Sequence, residues 1–388
     1  MLKIFGHHDA DTIHQIETCL TTGAEKAVLC ADGQRGYAQP IGGVVAYRDQ
    51  ISISGVGLDI ACGNMACRID ADPIYVVNNI ASIMEDIVQH ISFGVKRKTD
   101  APIDHPVFDD PAWKIPAIKS MRTMASEELG TVGSGSHYVD IFMDENNHVW
   151  IGVHFGSRGL GYKIATYFLE KGKCRESHDH SCVVPVDSCI GTDYLEGMRL
   201  AGRYAYAGRE YVCREIASKV FGSRILEEVH NHHNFAWKEI HNGVPYWVVR
   251  KGATPAFPHQ RGFVGGSMGD NSYIIEGIES AESRDALYST IHGAGRVISR
   301  TAAMGRGRWR RGKRIGKIGG TVSREEMMTW IRTTGVHLVG GNIDKAPQVY
   351  RRLNDVLREH AGTIKILHTL RPIGVAMASI DEKDPYKE

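Results

Sequence analysis

Glycine stands repeatedly beside chemically reactive side chains, and this association most restricts how the 388-residue chain can fold. Glycine permits positive φ and lets a ligand approach the backbone closely. Five times, a short apolar run typical of a strand lies next to glycine and a functional side chain. The five segments are GLDIACG with Asp59 and Cys62, GSGSHYVD with His137, VHFGSRGLG with His154, NHHNFAWKE with His233 and STIHGAGR with His292.

Each segment alone has a simpler interpretation. A single histidine beside an apolar strand is more often a hydrogen-bonded core residue than a ligand, and Cys62 by itself resembles a small buried hydrophobe. Five such segments, offering one carboxylate, one thiol and four imidazoles, instead predict one assembled site.

Strand-like runs, glycine-rich turns and helical segments alternate along the chain, which predicts a mixed α/β (α+β) fold. Hydrophobic spacing predicts helices over 9–20, about 193–221 and about 344–360. Short β-rich runs predict strands over 148–155, 246–252 and 272–277. No repeat or linker interrupts the chain, so we expect a single domain over 1–388.

Composition excludes several classes of protein. No apolar run approaches the roughly 18 residues that cross a bilayer, and the polar start is not expected to be a signal peptide. The eight cysteines are scattered without the look of a disulfide scaffold. We therefore expect a cytoplasmic protein with free or metal-bound thiols, and no membrane partner.

Basic residues are concentrated in one segment although the formal net charge is only +1. Seven Lys or Arg lie within residues 306–317, around Trp309. Such a run is either a solvated loop or a phosphate-binding strip whose aromatic ring stacks on a base. Charge alone does not decide between them.

The glycine-rich segments resemble, in the same order, the motifs of the RtcB RNA ligases over about residues 28–377. The matching segments are GVGLDIACG, GTVGSGSHYVDI, VHFGSRGLGYKIA, HHNFAWKE, VRKGAT, GSMGDNSYII, STIHGAGRVISR and LRPIGV. The resemblance implies an RtcB-like fold, with β-sheets and helices packed around a central metal and nucleotide cleft.

The resemblance also implies an activity. It implies an RNA ligase for RNA repair or tRNA splicing that joins 3′-phosphate or 2′,3′-cyclic phosphate ends to 5′-hydroxyl ends. The reaction would use GTP and two Mn²⁺ ions, and would pass through a guanylyl-histidine and an RNA 3′-end activated by guanylate. The implied partner is broken tRNA or rRNA; whether helper proteins take part is left open by the sequence.

Site residues follow from the resemblance by position. Two manganese ions would be held by Asp59, Cys62, His137, His154 and His233, with Cys62 bridging, and His292 would be the nucleophile. The nucleotide would contact Ser136, His233, Asn234, Ser267, Ser272, His292, Gly293, Ala294, Gly295 and Arg296. RNA would contact Arg158, Arg250, Lys251, Arg308, Arg310 and Arg311. Cysteine and histidine suit Zn²⁺ at least as well as Mn²⁺, so manganese is implied by the resemblance only.

Four positions depart from the family pattern. Ser136 replaces an asparagine and Asp140 a longer glutamate. Gln34 stands where a histidine is usual, and Met377 where the family has a lysine that faces guanine. Because methionine cannot donate a hydrogen bond to the guanine carbonyl, the preference for GTP over ATP stays open.

Two other classes of function remain open. Ser136 and Met377 leave room for a two-metal phosphoester hydrolase, or a nucleotidyltransferase, that has lost ligation. A non-catalytic RNA-end binder is disfavoured because it has no need of His292 among glycines. In CRESHDHSC we favour a polar loop over a structural zinc site formed by Cys174, His178, His180 and Cys182, with Cys189 nearby.

Overall fold

The computed structural model describes residues 1–173, 181–310 and 313–379, and gives only the backbone for 306–310 and 313–318. Its strands are β1 (Leu2–Ile4), β2 (Lys26–Gln34), β3 (Ile41–Tyr47), β4 (Gln50–Ser52), β5 (Gly63–Ile69), β6 (Tyr138–Met143), β7 (Val149–His154), β8 (Val183–Pro185), β9 (Ile225–His232), β10 (Asn234–His241), β11 (Val244–Lys251), β12 (Ala253–Pro255), β13 (Arg261–Val264), β14 (Ser272–Gly277), β15 (Ser289–Ile291), β16 (Arg306–Arg310), β17 (Lys313–Ile318), β18 (His337–Val339) and β19 (Ile364–Met377).

Helices connect these strands and cover their faces. They are α1 (Ala10–Thr21), α2 (Ile53–Val56), α3 (Pro73–Asn78), α4 (Ile80–His90), α5 (Pro116–Lys119), α6 (Arg122–Glu128), α7 (Arg158–Lys171), α8 (Cys189–Glu215), α9 (Ala281–Asp285), α10 (Arg300–Met304), α11 (Arg324–Thr334) and α12 (Leu353–Arg358). The mixed α/β fold class predicted from the sequence is confirmed. Among the described helices, none has the length and apolar character needed to cross a membrane.

The largest sheet has the strand order β13-β14-β19-β6-β7-β5-β9, with β18 added in parallel beside β19. It curls until its two end strands meet. Arg261 of β13 forms an ion pair with Glu227 of β9, and the Phe263 amide donates to Asn231 Oδ1 at 2.8 Å. The sheet is therefore a nearly closed barrel, filled by a small apolar cluster that includes Phe142, Trp150 and Phe263.

A second sheet has the order β1-β2-β3-β11-β10, and helix α8 links it to the first. The first half of α8 contributes Tyr194, Met198 and Ala201 to the core beneath the second sheet. Its last turns contribute Val212 and Cys213 to the core against the barrel. This helix thus fixes the two sheets together.

Most of the predicted elements are present. Asp9 caps α1 by accepting from the Thr12 amide at 2.8 Å, and the predicted strands correspond to β7, β11 and β14. Helix α8 begins at Cys189, earlier than predicted, because the Ser188 hydroxyl caps it, and it ends in a π-helical turn over Ile216–Val220.

The predicted helix over 344–360 is wrong. Two 3-10 turns precede α12, which begins only at Leu353. Proline at 347 has no backbone N–H and disfavours helical geometry at Ala346, whose ψ is 145°. Tyr350 is extended, and it forms an isolated bridge with Arg296.

Candidate active site

The register of the barrel strands places four predicted ligands at one end of the sheet. Cys62 directly precedes β5 and His137 directly precedes β6, whereas His154 ends β7 and His233 follows β9. Antiparallel pairing sets His154 opposite both Asn64 and Tyr138, and Gly63 opposite His232. In neighbouring antiparallel strands, one strand begins where the other ends. The starts of β5 and β6 and the ends of β7 and β9 therefore lie at the same end of the sheet, and these side chains converge there.

The converging side chains form two overlapping groups that share Cys62. Asp59, Cys62 and His137 form one group; Cys62, His154 and His233 form the other, with ligand atoms within 4.8 Å of one another in each. Cys62 Sγ lies 3.2 Å from His154 Nε2 and 3.7 Å from His137 Nε2. His137 Nε2 lies 3.1 Å from Asp59 Oδ2. A thiolate between two such groups is suited to bridging two ions.

The turn carrying Asp59 and Cys62 depends on close backbone approach. The Cys62 amide donates to the Asp59 carbonyl at 3.1 Å, and Ala61 between them has φ 61°. Gly156, just after β7, packs directly on the Asp59 carboxylate, and a Cβ there would overlap it. Glycine is therefore required at position 156, because any side chain there would displace the Asp59 carboxylate.

Burial and neighbouring charges set the protonation of the ligands. Burial raises the pKa of Asp59, but the hydrogen bond and charge of His137 outweigh it and lower that pKa to about 2. Burial, reinforced by the Asp59 charge, raises the pKa of Cys62 well above its usual value. Burial holds the pKa values of His154 and His233 well below the usual value, so both imidazoles are neutral at neutral pH.

The donor set fits divalent metal ions. Neutral imidazoles and an ionised carboxylate are ligands as they stand, and metal binding displaces the thiol proton. His137 Nδ1 lies 3.0 Å from the Val132 carbonyl, which orients Nε2 toward the site as outer hydrogen bonds do in metal centres. His233 Nδ1 is buried without a hydrogen-bond partner among the described residues.

His292 lies beside these groups, with its ring 4.9 Å from the His233 ring. Its Nδ1 lies 2.6 Å from Oδ2 of the buried Asp32. The same oxygen accepts from the amides of His292 at 3.0 Å and Gly293 at 3.3 Å. This arrangement places the proton on Nδ1 and leaves the Nε2 lone pair free for nucleophilic attack.

Two cavities meet at His292. The first, of about 170 Å³, is lined by Ser136, Ser267 and the segment Gly293–Arg296, all predicted nucleotide contacts. The four residues that depart from the family pattern, Gln34, Ser136, Asp140 and Met377, also line it. Asp140 Oδ1 is buried without a partner among the described residues, and burial raises the pKa of Asp140 well above its usual value.

The second cavity, of about 200 Å³, opens beside the candidate metal ligands. Asn234, Arg158 and Lys251 line it with Asp59, Cys62, His137, His154 and His233. Asn234 accepts from the Gly252 amide at 2.7 Å, and Lys251 Nζ donates to the Tyr37 carbonyl at 2.8 Å. The two cavities share Ile41, Ser136, His154, His292 and Arg300.

Some predicted residues are not brought to the cleft. Arg250 is fully buried; it pairs with Glu239 at 2.6 Å and donates to the Leu287 carbonyl at 2.9 Å, so it is unavailable to RNA. Ser272 is buried, and its hydroxyl accepts from the Gly266 amide behind the cavity wall. Arg308 and Arg310 lie on β16, where only the backbone is described, and Arg311 lies outside the described residues.

The CRESHDHSC segment lies mostly outside the described residues, which include only Cys182 and Cys189 of the zinc candidates. Cys182 is disulfide-bonded and Cys189 is an exposed free thiol. A disulfide differs from the free or metal-bound thiols that we expected, whereas Cys19, Cys30, Cys62, Cys67 and Cys213 are free.

Sequence reasoning missed two residues of the site. Asp32 and Arg209 are absent from the residues predicted above, although both are fully buried and Arg209, on α8, lies behind the ligands. Their roles depend on partners that are distant in sequence: His292 is 260 residues from Asp32, and the partners of Arg209 are 21 to 148 residues away.

Comparison with known proteins identifies the family of this chain. The sequence pattern of the family described as tRNA-splicing ligase RtcB matches residues 15–111 and 111–378. The chain belongs to the RtcB family. It is 28% identical to the RNA-splicing ligase RtcB of Escherichia coli K12, over 88% of this chain and 87% of that protein. It is 29% identical to the tRNA-splicing ligase RtcB of Archaeoglobus fulgidus, over 90% of this chain and 87% of that protein.

A eukaryotic relative shows the same extent of similarity. RNA-splicing ligase RtcB homolog 1 of Entamoeba dispar is 28% identical, over 96% of this chain and 83% of the relative. The RtcB family match thus includes every segment that contributes to the two metal-ligand groups and to the His292 loop.

Proposed function

We propose that this protein is an RNA ligase that joins RNA 3′-phosphate or 2′,3′-cyclic phosphate ends to 5′-hydroxyl ends, using GTP and two Mn²⁺ ions. One observation carries the proposal. His292, with Nδ1 held by Asp32, stands between a cavity lined by most of the predicted nucleotide contacts and a cavity walled by two metal-ligand groups. Relatives named as RNA- and tRNA-splicing ligases support it.

His292 is the proposed nucleophile toward the α-phosphorus of GTP. The Nε2 lone pair forms the N–P bond, pyrophosphate leaves, and the Asp32 carboxylate stabilises the positive charge that develops on the ring. Gly293 lines the first cavity, and a Cβ there would meet only the Gly265 carbonyl, at 3.3 Å, so a side chain would project into the cavity. Glycine leaves that space to the phosphate.

The GMP group then passes from His292 to the RNA 3′-phosphate, which gives that end a good leaving group. Asp59, Cys62, His137, His154 and His233 would hold the ions. When bound, the ions neutralise phosphoryl charge and orient the reacting oxygens. Arg158, which lines the second cavity, is positioned to bind an RNA phosphate. Lys251 also lines that cavity, but it is buried and donates to the Tyr37 carbonyl, so its charge acts on a phosphate in the cavity without surface exposure.

Asp140 supports guanine as the base. Guanine presents two adjacent N–H donors, which one carboxylate can accept together, whereas adenine presents one N–H donor beside an acceptor nitrogen. Such donors favour the charged form of Asp140. Met377 lines the same cavity but has no hydrogen-bond donor to offer the guanine carbonyl. We therefore expect a smaller preference for GTP over ATP than a lysine at this position would give.

Incubation with Mn²⁺ and α-labelled GTP or ATP tests the proposal. We expect acid-labile label on the denatured protein, more from GTP than from ATP, and none on His292→Ala. A broken RNA with 3′-phosphate and 5′-hydroxyl ends should then be sealed by the wild type only. No label on a protein that demonstrably binds metal would refute the nucleophile.

A two-metal phosphoester hydrolase, or a nucleotidyltransferase without ligation, is the second candidate. Ser136 and Met377 favour it, because both departures line the nucleotide cavity. Hydrolysis of the RNA 3′-phosphate without labelled protein would indicate the hydrolase. Labelled His292 without sealed RNA would indicate the nucleotidyltransferase.

A further inference from the structure

Arg209, in the last third of α8, is a fully buried arginine whose guanidinium faces the back of the metal-ligand groups. Its NH1 nitrogen donates to the carbonyls of Ala61, at 3.1 Å, and Phe155. Its NH2 nitrogen donates to His232 Nδ1 at 2.9 Å, and its Nε to His230 Nε2 at 2.7 Å. One side chain therefore binds three separate segments of the chain.

Each of these segments carries one member of the same metal-ligand group. Ala61 directly precedes Cys62, Phe155 directly follows His154, and His232 directly precedes His233. The other group contains Asp59 and His137, and the described contacts of Arg209 do not include His137 or its neighbours. The hydrogen bonds thus converge on the Cys62, His154 and His233 group.

Arg209 is a buried cation whose described partners are all uncharged acceptors. Among the described residues Arg209 forms no ion pair, and its hydrogen-bond partners are carbonyls and imidazoles. Burial lowers its pKa to about 10, so it is still charged at neutral pH. Its donors satisfy two carbonyls and two imidazole nitrogens that would otherwise be buried without a partner, which is costly. The hydrogen bonds of one side chain therefore fix three chain segments relative to one another.

We propose that Arg209 is a positioning residue that holds Cys62, His154 and His233 in ligand geometry before any metal binds. This inference rests on the proposed metal site. The guanidinium is planar, and its fork of donors spans three strand ends at once. A lysine ammonium on the same helix is a compact group, whose donors do not spread over these separate acceptors as the planar fork does.

Amide protection in the wild type provides a test that needs no variant. The amides of Ala61, Phe155 and His233 donate to the carbonyls of Asn234, Gly63 and Cys62. If Arg209 organises these segments, all three amides are protected from hydrogen exchange in metal-free protein. Free exchange without metal, with protection only after Co²⁺ is added, would overturn the proposal.

Co²⁺ titration of variants provides the second test, because the thiolate-to-Co²⁺ absorption band reports coordination by Cys62. We expect Arg209→Met to weaken Co²⁺ binding about 10- to 100-fold, as loss of outer support does in other metal sites. Arg209→Lys should restore less than half of the loss in Co²⁺ binding affinity, when affinities are compared as logarithms of the dissociation constant.

Tyr194→Leu is the matched control. Tyr194 is fully buried on the same helix, packs against Phe168, and has no described contact with the metal ligands. This change should lower the melting temperature and leave Co²⁺ affinity unchanged. Equal affinities of Arg209→Met and the wild type would overturn the role of Arg209. A wild type without the Co²⁺ band would instead overturn the metal site itself.

Discussion

Two substitutions of Asp32 should slow the attack by His292 to different extents. Oδ2 of Asp32 accepts three N–H groups, whereas Oδ1 is buried without a partner among the described residues. In Asp32→Asn, the amide oxygen can occupy the Oδ2 position and the NH₂ group the Oδ1 position. The proton then stays on Nδ1 of His292, and only the negative charge is lost. Asp32→Ala removes the acceptor as well.

The magnitudes follow from these contacts. A hydrogen bond to a charged group contributes about 1.5–3 kcal/mol and a neutral one about 1 kcal/mol, so Asp32→Asn should cost about 1.5 kcal/mol in the attack step. That corresponds to a roughly tenfold slower labelling of His292. Asp32→Ala also leaves two backbone amides without an acceptor and frees the ring, and about 4 kcal/mol, or 10³-fold, is expected.

Single-turnover labelling of the protein by α-labelled GTP at saturating Mn²⁺ measures the step directly. Circular dichroism and Co²⁺ binding should be near wild type for Asp32→Asn, because Asp32 is not in either ligand group. Equal rates for the Asn and Ala variants would show that the hydrogen-bond acceptor kept in Asp32→Asn contributes nothing, which would refute the separation of charge and acceptor made here. A wild-type rate for Asp32→Ala would refute the pair altogether.

Three further predictions concern other parts of the molecule. Burial lowers the pKa of His360 to about 4, from an ordinary 6.5, so the unfolded state takes up its proton first as pH falls. Between pH 7 and pH 5 stability should fall by about 2 kcal/mol more in the wild type than in His360→Asn, as measured by urea unfolding. Arg250→Met should cost about 3 kcal/mol or more of stability, since it strands buried Glu239, yet leave the affinity of the folded protein for RNA unchanged in a filter-binding assay. Met377→Lys should raise the ratio of GTP to ATP labelling about tenfold, and an unchanged ratio would remove Met377 from base recognition.

The five glycine-bounded segments predicted one assembled site because each candidate ligand lies within one residue of a strand terminus or on the turn before β5. The assignment of these side chains to metal ions came from the family resemblance. At such positions a glycine-bounded segment can present only a few side chains, and the strand register brings their ends together. The sequence could not predict that the two groups overlap at Cys62, because the overlap depends on which of the strands β5, β6, β7 and β9 are neighbours in the sheet.

Arg250 illustrates what the sequence could not decide. Its neighbour Lys251 lines the second cavity, and successive residues in a strand point to opposite faces, so the two cannot share one role. The partner that neutralises Arg250 is Glu239, on the adjoining strand β10. The family resemblance assigns both residues to RNA, and only the hairpin register separates them.

The placement of His292 on the wall shared by two cavities has a consequence for the order of events. If His292 is guanylylated as we propose, the guanylate faces the first cavity and the RNA end enters through the second, without a change in the position of the histidine. The RNA phosphate then attacks from the side that pyrophosphate has left, so pyrophosphate must leave before the RNA end arrives. The guanylylated form would then persist until an RNA 3′-phosphate enters the site.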